Sequence, residues 1–231
     1  MIAHSVEEIN RQIEKAAIGS GRSLEDIKLI AVTKTRTVDE MKNAQDLGLV
    51  DFGENKVQEI QNKYSKFNNE IKWHLIGHLQ RNKVKYIIDK VELIHSVDSL
   101  RLAKTINDEA EKCNIIVKIL IQVNVANEET KFGLSTQEVI PLLKEISSFK
   151  NIQVEGLMTM APYTLDPEES RKHFQRLKKL SVDINIQKMD NIFMNELSMG
   201  MTNDYAVAIE EGSTMVRVGT GIFGSRNYNE V

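Results

Sequence analysis

Short runs of β-branched and other apolar residues recur along the chain. Each is followed by a segment whose apolar positions repeat at helical spacing. The runs are Leu29–Thr33, Leu49–Phe52, Trp73–Ile76, Leu93–Ser96, Ile115–Val123, Ile152–Leu157, Ile192–Leu197 and Thr214–Val218. Runs of this length bounded by turn residues predict buried strands, and the gaps mostly predict one helix each. Helix starts are marked chemically. Thr37-Val-Asp-Glu40 and Ser135-Thr-Gln-Glu138 read as capping boxes, in which a hydroxyl and a later carboxylate each satisfy a free backbone N–H. Asp166-Pro167 reads as an N-cap followed by proline in the first helical turn. An extra helix precedes the first strand: Val6, Ile9, Ile13 and Ala16 form its apolar stripe, Ser5-Val-Glu-Glu8 its predicted capping box and Gly19-Ser-Gly21 its stop.

Eight strands alternating with helices imply parallel pairing through right-handed crossovers. Two architectures fit, a doubly wound open sheet and a closed (β/α)8 barrel. The count of eight favours the barrel. At 231 residues it is expected to fill the whole chain, 1–231, as a single domain. The three prolines do not cluster into a linker, and no short-period repeat is visible.

Composition narrows the function. Thirty Lys and Arg against 33 Asp and Glu give a net charge of −3, which argues against a basic nucleic-acid-binding face. The single cysteine, Cys113, excludes an intramolecular disulfide and sits in no metal or redox motif. The first residues lack the basic and apolar regions of a signal peptide. The most apolar stretch, Ile115–Val123, is far shorter than the roughly 20 residues of a membrane span and contains Lys118. A soluble cytoplasmic protein with no membrane partner is the expectation.

Candidate chemistry gathers at strand ends. Lys34 follows the first run, where a barrel has its C-terminal mouth. A lysine desolvated there has a lowered pKa and an amine free to attack an aldehyde, whereas a solvated lysine would have no role. Phe52-Gly53-Glu54-Asn55 closes the second run, with Asn55 either aimed into the mouth or part of a turn and helix cap. His74 and His78 are four apart, but the H-E-x-x-H pattern of a zinc helix is missing and Gly77 interrupts a helix there. His74 reads as a packing histidine, His78 as a rim residue, and His95 as a further candidate for the mouth. Gln122 and Asn124 end the fifth run and suggest the mouth again. Leu197 to Thr202 reads as a small-residue turn opening a helix, with Asp204 in its first turn.

Gly219 to Gly224 spells G-x-G-x-x-G, but no βαβ unit follows it. Small residues after the seventh and eighth strands expose backbone N–H groups suited to a phosphate, and Ser198 and Thr220 could add hydroxyls. Arg217 lies within an apolar strand and requires a partner, either an internal carboxylate or a ligand atom. A lysine after strand one and a phosphate site after strands seven and eight together describe pyridoxal 5′-phosphate. A Schiff-base aldolase would use the same two groups.

The motifs AVTKT at 31–35, FGEN at 52–55, WHLIGHLQRNK at 73–83, HSVDS at 95–99, QVNVANEETKFG at 122–133, GLMTMAP at 156–162, LSMGMTNDY at 197–205 and VRVGTGIFGSR at 217–226 occur in that order. In them the chain resembles the YggS/PROSC family of pyridoxal-phosphate-binding proteins, also called PLP homeostasis proteins. That family is similar to the barrel domain of alanine racemase, PLP fold type III. The resemblance implies that Lys34 forms the internal aldimine, a Schiff base. It implies that Ser198, Gly219 and Thr220 hold the phosphate, that Arg217 faces the pyridine nitrogen, and that Asn55 and Met199 are lesser contacts. Thr33 and Thr202 stand where many members carry serine. The resemblance further implies a monomer that buffers free PLP for PLP-dependent apo-enzymes, with no established catalytic turnover. The competing reading is an amino-acid racemase. Racemisation requires an acid–base group on each face of the cofactor, and among Tyr64, Tyr86, Tyr163, Tyr205 and Tyr228 only Tyr163 is placed by the sequence to oppose Lys34.

Overall fold

The computed structural model describes residues 2–67, 70–128 and 130–225. Glu129 and Arg226, which belong to motifs quoted above, and Tyr228 lie outside the described residues. The strands are β1 (Lys28–Val32), β2 (Asp51–Glu54), β3 (Lys72–Leu75), β4 (Leu93–Val97), β5 (Val117–Gln122), β6 (Ile152–Met158), β7 (Ile192–Met201) and β8 (Met215–Val218). They pair in parallel and in chain order, and β8 closes onto β1 with Lys28 opposite Met215 and Ala31 opposite Val218. The closed ring decides between the two predicted architectures in favour of the barrel.

The helices are α1 (Ile2–Gly19), α2 (Val38–Asp46), α3 (Val57–Tyr64), α4 (Leu100–Lys112), α5 (Thr136–Ile146), α6 (Arg171–Asn185), α7 (Tyr205–Glu210) and α8 (Thr220–Phe223). A 3-10 turn at Arg81–Tyr86 takes the place of a full helix between β3 and β4. The capping boxes at Thr37/Glu40 and Ser135/Glu138 form as expected, and Asp166 accepts from the Glu168 N–H beside Pro167. The predicted box at Ser5 does not. α1 begins a turn earlier because Ile2 extends the apolar stripe onto the core, and Glu8 accepts instead from Arg11 and Gln12.

Strand periodicity sorts side chains into two layers. Ala31, Phe52, Trp73, Leu197, Met199, Val216 and Val218 belong to the large apolar layer between barrel and helices. There Trp73 meets Phe52 and Phe67 edge-to-face, with centroids 6.2 and 5.8 Å apart. Such pairs add about 0.5–1.5 kcal/mol each beyond area burial. Inside the ring a smaller apolar plug of Ile30, Leu93, Leu120, Met158 and Met215 fills the cross-section.

Every strand differs from its predicted run by at least one residue, and the shifts in β2 and β7 bear on the site. β2 starts and ends two residues later than its apolar run, because Asp51 and Glu54 are buried polar residues with partners inside the fold. Gly53 is therefore a strand residue and not a turn; a Cβ there would lie 2.9 Å from the Ile30 side chain. β7 continues through Met201, so most of the segment read as a turn is strand, broken by Gly200 at φ +92° and a register shift toward β8; Asp204 precedes α7 and accepts from the Met201 N–H.

Candidate functional site

The C-terminal ends of β1, β6, β7 and β8 surround a cavity of about 430 Å³. Lys34, Tyr163, Thr202, Arg217, Gly219 and Thr220 line it. A wider hollow of about 730 Å³ lies elsewhere, beside Arg22, Glu196 and Glu210, and none of the predicted site residues lines it.

Lys34 sits on a short turn that is held rigidly. The Thr33 hydroxyl donates to Glu54 Oε1 at 2.7 Å, and Lys63 Nζ donates to the Thr33 carbonyl at 2.9 Å. On the other side of Lys34, the Thr35 N–H donates to Glu59 Oε2 at 2.8 Å, with Thr35 itself at φ +64°. Lys63 also pairs with Glu54 at 2.7 Å and Glu59 at 2.9 Å, which closes the network. Burial pushes the Glu54 carboxyl up to about 7, against the opposing pull of Lys63 and the Thr33 hydroxyl. Burial also acts to raise Glu59, but the Thr35 N–H and Lys63 outweigh it and hold that carboxyl below its ordinary value. The sequence did not reveal this network, because its members come from three separate elements: the turn after β1, the end of β2 and α3.

Arg217 on β8 points into the ring and is 4 % exposed. Its Nη1 donates to Ser198 Oγ at 2.5 Å and its Nη2 to the Thr159 carbonyl at 2.8 Å. Burial lowers the guanidinium to about 10, with Asp204 opposing the shift, so the group remains a cation at neutral pH. Among the described residues no carboxylate lies within ion-pairing distance of it. The partner required by its burial is thus a hydroxyl and a carbonyl, and the positive charge is left facing the cavity.

At the β7–β8 side the Thr220 and Thr202 hydroxyls lie 3.2 Å apart, and the Gly221 N–H donates to Thr202 Oγ1 at 3.4 Å. Gly219 packs its Cα side against Val32, where a Cβ would approach to 3.3 Å. Exposed hydroxyls, glycine backbone and a buried cation form one wall; the Lys34 amine forms the other.

Of the predicted residues the fold brings Lys34, Arg217, Gly219 and Thr220 together. Ser198 does not line the cavity: it lies fully buried in the ring beneath Arg217, with its Oγ 2.9 Å from His95 Nδ1. Met199, one residue on and so on the opposite face of β7, is buried in the helix–barrel layer. Asn55 is half-buried at the end of β2, beyond the lining, with its backbone against Gly77. His95 lies one layer below the mouth, and His74 bonds to His95 and Asp51 and is more than a packing ring. His78 is at the rim, stacked on Phe132 at 4.1 Å. Gln122 and Asn124 tie down the loop after β5 through the Phe132 and Glu128 carbonyls. Thr202, noted in the sequence only as standing in place of a serine, lines the cavity together with Thr164 and Met201, to which the sequence reading gave no role.

Residues 8–227 match the family model described as alanine racemase, N-terminal domain. A protein of Aquifex aeolicus named pyridoxal phosphate homeostasis protein is 42% identical over 94% of this chain and 95% of its own length. The chain belongs to the pyridoxal phosphate homeostasis protein family. Within that family's fold, the structure of PipY from Synechococcus elongatus with PLP bound is 30% identical, with a TM-score of 0.85 over 97% of this chain and 100% of that one. An alanine racemase of Clostridium difficile shares the barrel alone, at 16% identity and a TM-score of 0.78 over 100% of this chain and 58% of that one. Among the described residues no helix is long and apolar enough to cross a membrane.

Proposed function

We propose that the chain binds pyridoxal 5′-phosphate in the cavity at the barrel mouth and serves as a monomeric, cytoplasmic carrier of that cofactor for PLP-dependent apo-enzymes. The observation that carries this reading is the joint lining of one cavity by a lysine amine, a buried guanidinium without a carboxylate partner, and paired threonine hydroxyls beside glycine backbone. That donor set fits an aldehyde, a pyridine nitrogen and a phosphate, three of the polar groups of the cofactor. The PLP-bound state of the PipY relative supports it.

In this reading Lys34 is the covalent anchor, its backbone fixed on both sides by Glu54, Lys63 and Glu59. Thr202 and Thr220, with the backbone of Gly219, hold the phosphate; Thr202 replaces Ser198 in that role. Arg217 donates to the ring nitrogen. Bound PLP supplies an electron sink for amine chemistry, and its strength depends on a protonated ring nitrogen. A guanidinium donates and does not give up a proton at neutral pH, so Arg217 keeps that nitrogen unprotonated. This favours holding over turnover. One observation favours the racemase alternative, since Tyr163 lines the cavity.

The test is an absorbance spectrum of the protein loaded with PLP, before and after borohydride reduction, followed by peptide mass mapping. Label on Lys34, and loss of the visible band in Lys34→Ala, support the reading; label confined to another lysine refutes it. Incubation with L-amino acids in deuterated water separates carrier from racemase. Rapid Lys34-dependent exchange of the α-proton on the enzyme timescale, kcat on the order of 1–10³ s⁻¹, would establish turnover.

A further inference from the structure

Below Arg217 the barrel interior carries an unbroken line of polar side chains, each contributed by a different strand. Arg217 Nη1 meets Ser198 Oγ at 2.5 Å, and Ser198 Oγ meets His95 Nδ1 at 2.9 Å. His95 Nε2 meets His74 Nδ1 at 3.0 Å, and His74 Nε2 meets Asp51 Oδ1 at 2.8 Å. The line passes through β8, β7, β4 and β3 to the first residue of β2. Ser198, His95 and His74 are wholly buried. His74 and its neighbours Lys28, Glu92 and Glu196 reach a small cavity of about 110 Å³ at the far end of the ring, so the line runs from the mouth to the floor.

The ends of this line fix the direction of every bond in it. A guanidinium can only donate, and an ionised carboxylate can only accept. Ser198 therefore accepts from Arg217 and has one proton to give, to His95 Nδ1. His95 must then carry its proton on Nε2 and donate to His74 Nδ1. His74 carries its proton on Nε2 and donates to Asp51. Each bond holds one proton and both rings are neutral. The alternative adds a proton: a cationic His74 would donate at both nitrogens, His95 would donate from Nδ1, and Ser198 would receive two donors. Its own buried O–H would then have no acceptor, which costs about 1–3 kcal/mol. A further cation would also share the ring interior with Arg217, and with Lys28 on β1. Burial, reinforced by His74, Arg217 and Lys28, holds the His95 ring well below the ordinary imidazole range.

We propose that Ser198, His95, His74 and Asp51 form a one-way hydrogen-bond chain that positions the Arg217 guanidinium at the cavity without neutralising it. Ser198 is a positioning residue, and the two histidines hold its hydroxyl proton away from Arg217. A carboxylate in the place of Ser198 would fix the guanidinium equally well but would cancel its charge. Asp51, at the far end of the ring, supplies the last acceptor of the chain; the carboxylate that acts on Arg217 through space, Asp204, lines the cavity without pairing to it. The arrangement of the chain stands on its own; its effect on a ligand rests on the PLP reading above.

Two measurements test it. The first uses the ligand-free protein carrying H4Q, H78Q and H173Q, which leaves only the two chain histidines. Nitrogen-15 NMR of the rings at pH 7.5 is expected to show both as neutral Nε2–H tautomers. A cationic ring or an Nδ1–H tautomer at either position overturns the proposal. The second follows the visible band of the PLP-loaded protein against pH, together with the dissociation constant for PLP. Asp51→Asn retains an acceptor oxygen and is expected to preserve both. Asp51→Leu and Ser198→Ala are expected to shift the pH profile of the band and weaken PLP binding about tenfold. An unchanged profile in Ser198→Ala, or equal damage by Asp51→Asn and Asp51→Leu, overturns the positioning role. If the wild type takes up no PLP, the binding reading fails while the tautomer measurement still decides the chain.

Discussion

Lys63→Met removes the one cation of the network that holds Lys34. Lys63 is 10% exposed at its side chain and Glu54 is fully buried, so solvent gives little screening. Two hydrogen bonds disappear outright, to the Thr33 carbonyl and to Glu59. Together they are worth roughly 1.5–3 kcal/mol. Glu54 is affected differently. Its folded-state value of about 7 lies above its ordinary 4.5, so its ionisation opposes folding. The stability it contributes is intact below about pH 4.5 and is lost as pH rises through about 7. Without Lys63 the carboxyl is pushed higher still and stays protonated at pH 8. That adds about 1.4 kcal/mol to the loss at pH 8, one further unit of proton uptake. At pH 5 Glu54 is neutral in both proteins and this part vanishes. The total at pH 8 is about 3–4 kcal/mol, in line with breaking a buried pair. Urea unfolding is the assay. With a slope of about 3 kcal/mol/M the midpoint falls by about 1 M at pH 8 and by less at pH 5. Adding Glu54→Gln to Lys63→Met is expected to recover the pH-dependent part. An equal loss at both pH values, or no recovery by Gln, would refute the argument that an uncompensated Glu54 drives the effect.

Thr202→Val keeps the volume at the phosphate wall but deletes the hydroxyl that meets Thr220 and the Gly221 N–H. PLP binding, followed by absorbance titration, is expected to weaken about tenfold with the thermal midpoint of the ligand-free protein unchanged; unaltered affinity would remove Thr202 from the phosphate site. Gly156→Ala puts a Cβ 1.8 Å from the Glu196 carbonyl where β6 and β7 cross at an irregular register, so calorimetry is expected to show a loss of about 3 kcal/mol or more. A midpoint within a degree of wild type would mean that the two strands can separate there at no cost.

The ring was legible because its outer layer is uniformly apolar, and runs such as Leu29–Thr33 and Ile192–Leu197 carry that layer. Strand limits were lost where the inner layer is polar. Asp51, Glu54, His74 and Ser198 are polar residues within or beside apolar runs, yet each is buried with a partner from a different element of the fold. Periodicity cannot reveal a partner that is distant in the chain. Lys34, Gly219 and Thr220, which follow strand ends, and Arg217, next to the end of β8, come together at one cavity because a parallel ring gathers its strand ends at one mouth. Ser198 and Met199, expected beside them, do not line the cavity; reading a turn over 197–202 hid the alternation of faces that separates the two. With β7 extended to Met201, Ser198 faces the ring interior, Met199 faces the helices, and Thr202 reaches the cavity.

The closing seam of the ring bears on how the protein comes to exist in the cell. β1 and β8 are neighbours in space and nearly opposite in the chain, and the cavity straddles their junction, with Lys34 from one and Arg217, Gly219 and Thr220 from the other. During synthesis Lys34 emerges well before Arg217, Gly219 and Thr220. A nascent or clipped chain that lacks β8 therefore presents an amine with nothing opposite it. The cavity exists only once β8 has closed onto β1, so its formation reports completion of the ring.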